Sequence, residues 1–464
     1  MAPTDTSESG LEALIVASLT ARHTVAAESG VLHDRTDTAV YGAIPYYVEG
    51  HPNDYDRAHA VDLVQLLAFL EATQPKAVDQ LALREDGPPR QAFLARLQGE
   101  IAKRGVIDVL RKGVRHGPAS VDLFYGAPSP DNPQAVQRYA QNIFSVTRQL
   151  RYSTDETQLA LDLAIFINGL PVATFELKNR LTKQTVEDAV RQYRRDRDPR
   201  ELLFQFKRCL AHFAVDDQEV RFCTRLAGKA SWFLPFNKGW NDGAGNPPNP
   251  DGLKTDYLWR EVLTREGLTD IIENYAQVVE EKDARTGKKK EQQIFPRYHQ
   301  RDVVHKLLAD AAQRGAGHRY LVQHSAGSGK SNSIAWLAHQ LVGLKHFYVR
   351  KVMLVKYSYA FIAMPGGFGT LDEVFEAATL IQTHKIRDFP LVLIGKQYWS
   401  PLIEMLNDSA LRAGTIDEHD FGVLRVTDSP QEAIDHIVSV ATTQFGLGVK
   451  PKKRRWFLGE GRSS

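Results

Sequence analysis

The sequence has few cysteines, no long apolar run and no excess of charge of either sign. Cys209 and Cys223 are its only cysteines, too few for a disulfide framework and too far apart for a zinc knuckle. We therefore expect a reducing compartment, by default the cytoplasm. No stretch of about 18 uncharged apolar residues occurs, and the first residues lack a basic start before an apolar run, which disfavours membrane spanning and secretion.

The charged residues nearly cancel. There are 58 Lys and Arg against 56 Asp and Glu, so the net charge of +2 gives no general attraction to nucleic acid or to a membrane surface. Any such binding must come from local patches. A length of 464 residues with 43% hydrophobic residues predicts about three domains with buried cores.

Apolar periodicity divides the chain into helical and extended segments. Helices are predicted at 10–22, 58–73, 90–110, 186–196, 302–313 and 331–341, and from 371. Strands are predicted at 159–168, 172–177, 204–214, 220–226, 319–324, 351–355 and 359–364. The charged stretch 280–293 is typical of a linker. This pattern predicts a multidomain α/β chain.

The strands predicted at 159–168 and 172–177 form a hairpin around a Gly-Leu-Pro turn at 169–171, and two carboxylates and a lysine lie in it. Asp162 and Glu176 are embedded among apolar residues, where a charge usually needs a partner or a metal. Glu176 and Lys178 share a face of their strand, and antiparallel pairing can bring Asp162 beside them. Two such carboxylates can hold Mg²⁺, which suits a few carboxylates together with waters and phosphate oxygens. Lys178 could then orient or deprotonate an attacking water, while a surface ion pair is the alternative interpretation.

A basic run follows the hairpin. From Lys178 to Arg200 eight residues are basic and four are acidic. Phosphate contacts of this kind position a nucleic-acid backbone without reading its sequence, although a solvated helix face would look the same.

Residues 1–344 resemble the N-terminal part of the R subunit of type I restriction enzymes. The similarity is carried by RYSTDETQLALDLAIFINGLPVATFELKN, FLPFNKGWNDGAGNP, and FPRYHQRDVV before HSAGSGKSNSIAWLAHQL. It implies a PD-(D/E)xK nuclease fold with Asp162, Glu176 and Lys178 as the catalytic set, and Glu12 as an accessory carboxylate. Gln192 matches the glutamine that opens the family's QxxxY motif, but position 196 is Asp instead of Tyr. DNA, and the specificity and methyltransferase subunits of such a complex, are the implied partners.

The segment HSAGSGKS has the form of a phosphate-binding loop at a helix start. Its glycines allow a phosphate to approach the backbone, its lysine reaches phosphates and its serine can meet Mg²⁺. The candidate ATP contacts are Gly327, Gly329, Lys330 and Ser331, and Gln300 resembles the adenine-reading glutamine of superfamily 2 helicases. We expect ATP binding without hydrolysis, because neither a Walker B acid nor a second motor lobe is visible. The alternative is a plain Gly/Ser turn.

Residues 346–448 resemble the C-terminal half of the Lonely Guy, or lysine-decarboxylase-like, phosphoribohydrolases. PGGFGTLDE and TLIQTHKIRDFPLVLIGKQYW carry this similarity. Those enzymes cleave the N-glycosidic bond of nucleoside 5′-monophosphates. The similarity implies Arg350 and Glu373 as the catalytic pair, and Gly366, Gly367, Gly369 and Thr370 as the phosphate loop. The family's N-terminal strands have no counterpart here, which argues against turnover.

These patterns together predict a fusion. We expect a nuclease domain at 1–279, a linker at 280–293, a truncated P-loop segment at 294–344 and a partial Rossmann-like half-domain at 345–464. Mg²⁺-dependent cleavage of DNA is the favoured function. A nucleotide phosphoribohydrolase and a non-catalytic remnant are the alternatives.

Overall fold

The computed structural model describes most of the chain in two compact units. The described residues are 8–20, 46–128, 132–156, 158–179, 183–241, 243–282, 289–315, 318–324, 328–343, 358–383, 386, 389–418 and 424–443. The first unit comprises Met1–Gln313 and Leu321–Gln340, and the second comprises Arg314–Tyr320 and Leu341–Ser464. Among the described residues no helix is long and apolar enough to cross a bilayer.

Ten α-helices of the described residues lie in the first unit, and the last two of them end one and three residues inside the second. They are α1 Glu8–Thr20, α2 Leu63–Thr73, α3 Pro75–Gln80, α4 Pro88–Arg104, α5 Val106–Lys112, α6 Pro133–Ala140, α7 Val186–Arg195, α8 Arg265–Asp270, α9 Tyr298–Arg314 and α10 Lys330–Gly343. The helix predicted over 90–110 is two helices, because Gly105 adopts a φ of +85° and ends the first one. The helix predicted over 58–73 begins only at Leu63, where the Asp62 side chain accepts a hydrogen bond from the Gln65 backbone as an N-cap.

A seven-stranded mixed sheet forms the centre of the first unit. The strands of this unit are β1 Val48–Gly50, β2 Tyr55–Asp56, β3 Val61–Asp62, β4 Val114–His116, β5 Ala119–Val121, β6 Phe144–Arg151, β7 Ala160–Ile167, β8 Leu170–Leu177, β9 Ala211–Val215, β10 Val220–Cys223, β11 Leu234–Pro235, β12 Gln277–Lys282 and β13 Lys289–Ile294. The order in the large sheet is β1-β6-β7-β8-β9-β10-β11, with β8 in the middle. All eight residues of β8 are buried, including the polar Thr174 and Glu176.

Alternate residues of the central strands enter different apolar clusters. Ile165 and Ile167 pack in one cluster, whereas Ala164 and Phe166 pack in the other, which also contains Tyr193 of α7. Thr174 of β8 hydrogen-bonds the Tyr193 hydroxyl over a distance of 2.8 Å. The face of β8 that carries Thr174 and, two residues on, Glu176 is therefore the face covered by α7.

The stretch predicted as a linker contributes two paired strands. β12 and β13 pair antiparallel from Gln277 opposite Ile294 to Lys282 opposite Lys289. The side-chain amide of Gln293 donates to the carbonyls of Cys209 and Leu210, which anchors the hairpin to the chain before β9. The described part of 280–293 is thus a hairpin, whose charged, exposed side chains give it the composition of a linker. The strand predicted at 319–324 is also wrong, since none of these residues lies in a strand.

The second unit contains a small parallel sheet. Its elements are β14 Phe361–Ala363, α11 Phe368–Gln382, β15 Leu391–Ile394, α12 Lys396–Met405, β16 Leu424–Thr427 and α13 Pro430–Thr443. β15 lies between β14 and β16 and is parallel to both. Trp399 and Ala377 are fully buried against it. The two units together confirm the prediction of an α/β chain.

Candidate functional site

The predicted carboxylates lie on neighbouring strands at the centre of the large sheet. β7 and β8 pair antiparallel with Leu163 opposite Phe175, so the next step of this register sets Asp162 across from Glu176. Asp162 Oδ2 accepts a hydrogen bond of 2.6 Å from the Leu177 backbone N–H. The structure thus brings the two carboxylates together, as the hairpin predicted.

Glu176 is a buried carboxylate with one oxygen in use. Its side chain has no exposed surface, and Oε1 accepts a hydrogen bond of 2.6 Å from Arg197 Nε. Oε2 is also buried and has no hydrogen-bond partner among the described residues. Burial raises the pKa of Glu176, Arg197 and Lys178 lower it, and the nearby charge of Asp162 raises it. The carboxyl is therefore placed to gain from a further cation on the Oε2 side.

Arg197 is a site residue whose position the sequence did not reveal. Its side chain is 4% exposed, and besides Glu176 it donates to the Tyr152 hydroxyl and to the Ala160 carbonyl. The sequence offered it only as one member of a basic run suited to phosphate contacts. Its burial could have been suspected only from the need of a buried glutamate for a cation.

Lys178 lies near the carboxylates, whereas no described contact joins Gln192 to them. Lys178 follows β8, is 9% exposed and lowers the pKa of Glu176 by its charge. Gln192 lies on α7 and is half-buried.

Glu12 is connected to the sheet through Gln149. Glu12 is 6% exposed on α1, and its Oε1 accepts a hydrogen bond of 2.6 Å from Gln149 Nε2. β6 pairs with β7 on both sides of Gln149, with Arg148 opposite Leu163 and Leu150 opposite Leu161, which puts Gln149 in line with Asp162. Gln149 itself has a φ of +48°. Polar residues thus follow one another across β6, β7 and β8, and Glu12 joins this row from outside the sheet.

This row of polar residues fits a divalent cation held by two carboxylates. It does not fit a metal site in which protein side chains supply most of the ligands. The described residues contain no group of three or more His, Cys, Asp or Glu side chains that could hold a metal ion. Mg²⁺ does not need one, because waters and substrate phosphate oxygens complete its coordination. The buried, unpartnered Glu176 Oε2 beside Asp162 is the observation that fits such an ion.

A cleft lined by four arginines and five carboxylates borders this site. Its volume is about 630 Å³, in the range of small-ligand sites. The lining residues are Asp155, Glu156, Leu159, Arg194, Arg195, Asp196, Arg197, Asp198, Pro199, Arg200, Glu201 and Gly228. Arg197 is common to the cleft and the carboxylate pair, so the two features adjoin.

The carbonyls of the predicted ATP loop accept hydrogen bonds from two of the side chains that were predicted to contact ATP, Lys330 and Gln300. Lys330 begins α10, and its Nζ donates to the His324 carbonyl over a distance of 3.1 Å. Gln300 is buried and donates to the carbonyls of Ser328 and Gly329, while its Oε1 accepts from the Arg297 backbone. The amide predicted to read adenine is therefore bonded to protein backbone.

Ser331 and Gly329 are the other described members of the predicted ATP set. Ser331 is exposed on α10, and Gly329 has a φ of +79°. Gly327 lies outside the described residues. The role of the whole set stays a prediction.

The glycine loop of the second unit precedes a helix, as its sequence predicts. Gly367 is the N-cap of α11, and Thr370 donates its backbone N–H to the Gly367 carbonyl. A Cβ on Gly366 would lie 2.1 Å from Thr370 Oγ1, so this position has room only for glycine. Gly369 is exposed at the helix start, and Glu373 is half-buried one turn later. Arg350 lies outside the described residues.

Comparisons with known proteins match two regions of the chain to different families. The family model described as "Type I restriction enzyme R protein N terminus" matches residues 66–231. The model described as "Possible lysine decarboxylase" matches residues 306–437. The chain joins regions similar to two different enzyme families. The second match begins within 294–344, the segment predicted as the start of a motor domain.

Curated relatives also match the second region. The chain is 34% identical over 89 residues to "Probable cytokinin riboside 5'-monophosphate phosphoribohydrolase LOGL2" of Oryza sativa subsp. japonica, covering 19% of this chain and 36% of that protein. It is 41% identical over 68 residues to "Cytokinin riboside 5'-monophosphate phosphoribohydrolase LOG1" of Arabidopsis thaliana, covering 14% and 31%. The chain thus spans about a third of the length of these relatives. Both resemblances drawn from the motifs are confirmed.

Proposed function

We propose that the first unit is a Mg²⁺-dependent DNA endonuclease of the type I restriction R-subunit kind, with a PD-(D/E)xK fold. The observation that carries the proposal is the pair Asp162 and Glu176, aligned on the two central strands, with one Glu176 oxygen buried and without a hydrogen-bond partner among the described residues. The family match over residues 66–231 includes this pair and Lys178. Hydrolysis of phosphodiester bonds is the reaction that these groups serve best.

Each group has a distinct task in this proposal. Asp162 and Glu176 would hold Mg²⁺, which when bound supplies positive charge to the phosphate under attack. Lys178 follows Glu176 by two residues and is largely buried, so its side-chain nitrogen would orient the attacking water as an ammonium, or take a proton from it as a neutral amine. Arg197 fixes Glu176 Oε1 and leaves Oε2 for the ion. Glu12 and Gln192 are proposed as accessory groups.

The partners follow from the same family. DNA is the proposed substrate, and specificity and methyltransferase subunits are the proposed protein partners, since sequence recognition in the family resides in another subunit. The chain alone should therefore cut without sequence preference. ATP binding at Lys330 and Ser331 is proposed as a separate property.

Nicking of supercoiled plasmid with Mg²⁺ or Mn²⁺ tests the nuclease. We expect weak, unselective nicking that is abolished in Asp162→Ala and in Lys178→Ala. The matched controls are Asp79→Ala and Lys112→Ala, whose side chains are 59% and 70% exposed in the same unit and should leave nicking unchanged. Equal nicking by all four variants would exclude this site.

The second candidate function is cleavage of the N-glycosidic bond of a nucleoside 5′-monophosphate. It is favoured by the match over residues 306–437, by the named relatives and by the glycine loop at the start of α11, which would be part of a Rossmann-like site. We expect no turnover of AMP, because small misplacement of the reacting groups is costly. Free adenine detected by chromatography, and lost in Glu373→Ala, would instead establish this activity.

A further inference from the structure

Arg208 is a buried arginine in the irregular segment before β9. It is 2% exposed, and neither of its terminal nitrogens, Nη1 and Nη2, has a hydrogen-bond partner among the described residues. Its backbone N–H donates to the Gln205 carbonyl over 3.0 Å, so the main chain is satisfied although the side chain is not. Because a guanidinium keeps its proton inside a protein, burial without a counter-charge destabilises the fold.

The hydroxyl of Tyr55 is a second unsatisfied donor in the same part of the interior. Tyr55 is 6% exposed, and its ring packs against Phe166 with a centroid separation of 5.9 Å. It belongs to the apolar cluster that contains Cys209, the residue after Arg208. Its hydroxyl is buried without a hydrogen-bond partner among the described residues. Burial raises the pKa of Tyr55 and the Arg208 charge lowers it, so the two side chains are close enough to interact electrostatically.

The two carboxylates whose charge acts on Tyr55 are engaged elsewhere. Asp56 Oδ2 bonds His59 Nδ1 over 2.6 Å, and Glu201 Oε1 accepts from the Ser153 hydroxyl over 2.6 Å. Neither carboxylate is among the groups whose charge acts on the buried guanidinium. They therefore do not serve as its counter-ion.

The two side chains that do act on Arg208 are neutral near pH 7. Burial lowers the pKa of Arg208, and Tyr55 and Cys209 raise it. Burial raises the pKa of the Cys209 thiol to about 12 and raises the pKa of Tyr55 as well. A phenol and a thiol that keep their protons supply no negative charge. Within the described part of the chain, the charge of Arg208 is therefore uncompensated.

The residue immediately before Arg208 is held in an uncommon conformation. Lys207 has a φ of +73°, in the left-handed region that residues with a Cβ rarely adopt. Its ammonium donates to the Lys103 carbonyl and to both carboxylate oxygens of Glu291, over 2.9 to 3.0 Å. Its carbonyl accepts from the Val106 N–H over 2.9 Å. These contacts fix the backbone from which the Arg208 side chain enters the interior, and such strained positions are often tied to function.

We propose that Arg208 and Tyr55 bind a small monovalent anion of the size of chloride. Nη1 and Nη2 donate to the anion, and the Tyr55 hydroxyl donates to it from β2. One negative charge balances the one guanidinium, whereas a dianion would bring excess charge into a buried site. The burial of all three donors also requires an ion of few atoms. The anion links the segment that carries β2 to the segment before β9, and its binding does not depend on the nuclease function.

Hydrogen exchange of the β8 amides in the full chain tests the proposal. The exchange rates are compared in sodium chloride and in sodium gluconate, both at about 0.1 M, so that general screening is equal and only the smaller anion can enter. An anion that binds only the folded chain stabilises it. We expect chloride to slow exchange about tenfold once its concentration is about ten times its dissociation constant.

Variants assign this response to the two donors. Arg208→Met should abolish the chloride response, and Tyr55→Phe should weaken it. In gluconate Arg208→Met should exchange more slowly than the unsubstituted chain, because the unpaired cation is gone. Arg191→Met is the matched control, since Arg191 is 55% exposed on α7, and it should respond to chloride like the unsubstituted chain.

The line width of the chloride NMR signal is a second measurement that needs no unfolding. The unsubstituted chain and Arg191→Met should broaden this signal more than Arg208→Met does. Equal exchange rates in chloride and gluconate for the unsubstituted chain would mean that water, and no anion, meets these donors, and would overturn the proposal. An equal chloride response in Arg208→Met would place the anion elsewhere on the chain and overturn it too.

Discussion

Replacement of Arg197 by Met should destabilise the first unit in a pH-dependent way. The substitution keeps an apolar stem of similar size but removes the cation beside Glu176, together with hydrogen bonds to Tyr152 and Ala160. Removing one partner of a buried ion pair costs about 3–5 kcal/mol. The matched control is Arg191→Met, which breaks the pair with Asp188 on α7, where the arginine is 55% exposed. That pair should contribute less than about 1 kcal/mol.

The sign of the pH dependence follows from the buried carboxyl. Burial raises the pKa of Glu176, and without Arg197 nothing of comparable strength lowers it. The folded variant then keeps a proton on Glu176 at pH values where the unfolded chain has lost it, so its stability falls as pH rises across that range. With Arg197 in place the pKa of Glu176 is already raised to about 8, so the deficit relative to the unsubstituted chain should be constant at lower pH and should grow as pH rises above about 8.

Hydrogen exchange of the β8 amides against denaturant measures this stability for the first unit alone. Such a local probe is needed because a chain of two units need not unfold in one step. A deficit equal to that of Arg191→Met, or one that does not change with pH, would refute the reasoning.

Two further substitutions test other features of the two units. Arg208 is 2% exposed and both terminal guanidinium nitrogens lack a hydrogen-bond partner among the described residues, so Arg208→Met should raise the free energy of unfolding by about 1–4 kcal/mol in the same exchange assay. A clear loss of stability would contradict this expectation. Gly366→Ala should destabilise the second unit by about 1–3 kcal/mol, because the new Cβ would lie 2.1 Å from Thr370 Oγ1. Gly367→Ala meets nothing within 4 Å and is its control; exchange of the β15 amides should separate the two, and equal effects would count against the packing argument.

The hairpin could be predicted from sequence because its signals are local. Two apolar runs around a Gly-Leu-Pro turn predicted β7 and β8 to within a few residues, and the charges embedded in them marked the candidate site. α7 was predicted at 186–196 and is found at Val186–Arg195, since its polar and apolar residues alternate with helical period. Pairing of adjacent strands then placed Asp162 beside Glu176 without any long-range information.

Contacts between distant segments could not be predicted in the same way. Arg197 meets Glu176 only because the chain turns back after α7, and Gln149 meets Glu12 across 137 positions. The charged stretch 280–293 looked like a linker, yet it includes Gln293, which is buried against the chain before β9. Composition reports the average environment of a segment, whereas these contacts depend on single side chains.

The row of polar residues across β6, β7 and β8 lies where such residues cost stability, which favours a functional role for them. β8 is the central strand of the sheet and is buried along its whole length, so an ionised carboxylate there costs several kcal/mol of desolvation. One arginine satisfies only one of the two Glu176 oxygens, and within the described part of the chain the other is buried without a hydrogen bond. A well-packed apolar residue would avoid that cost at no loss to the fold. The incomplete satisfaction of Glu176 beside Asp162 therefore supports the proposal that a divalent cation binds between these two carboxylates.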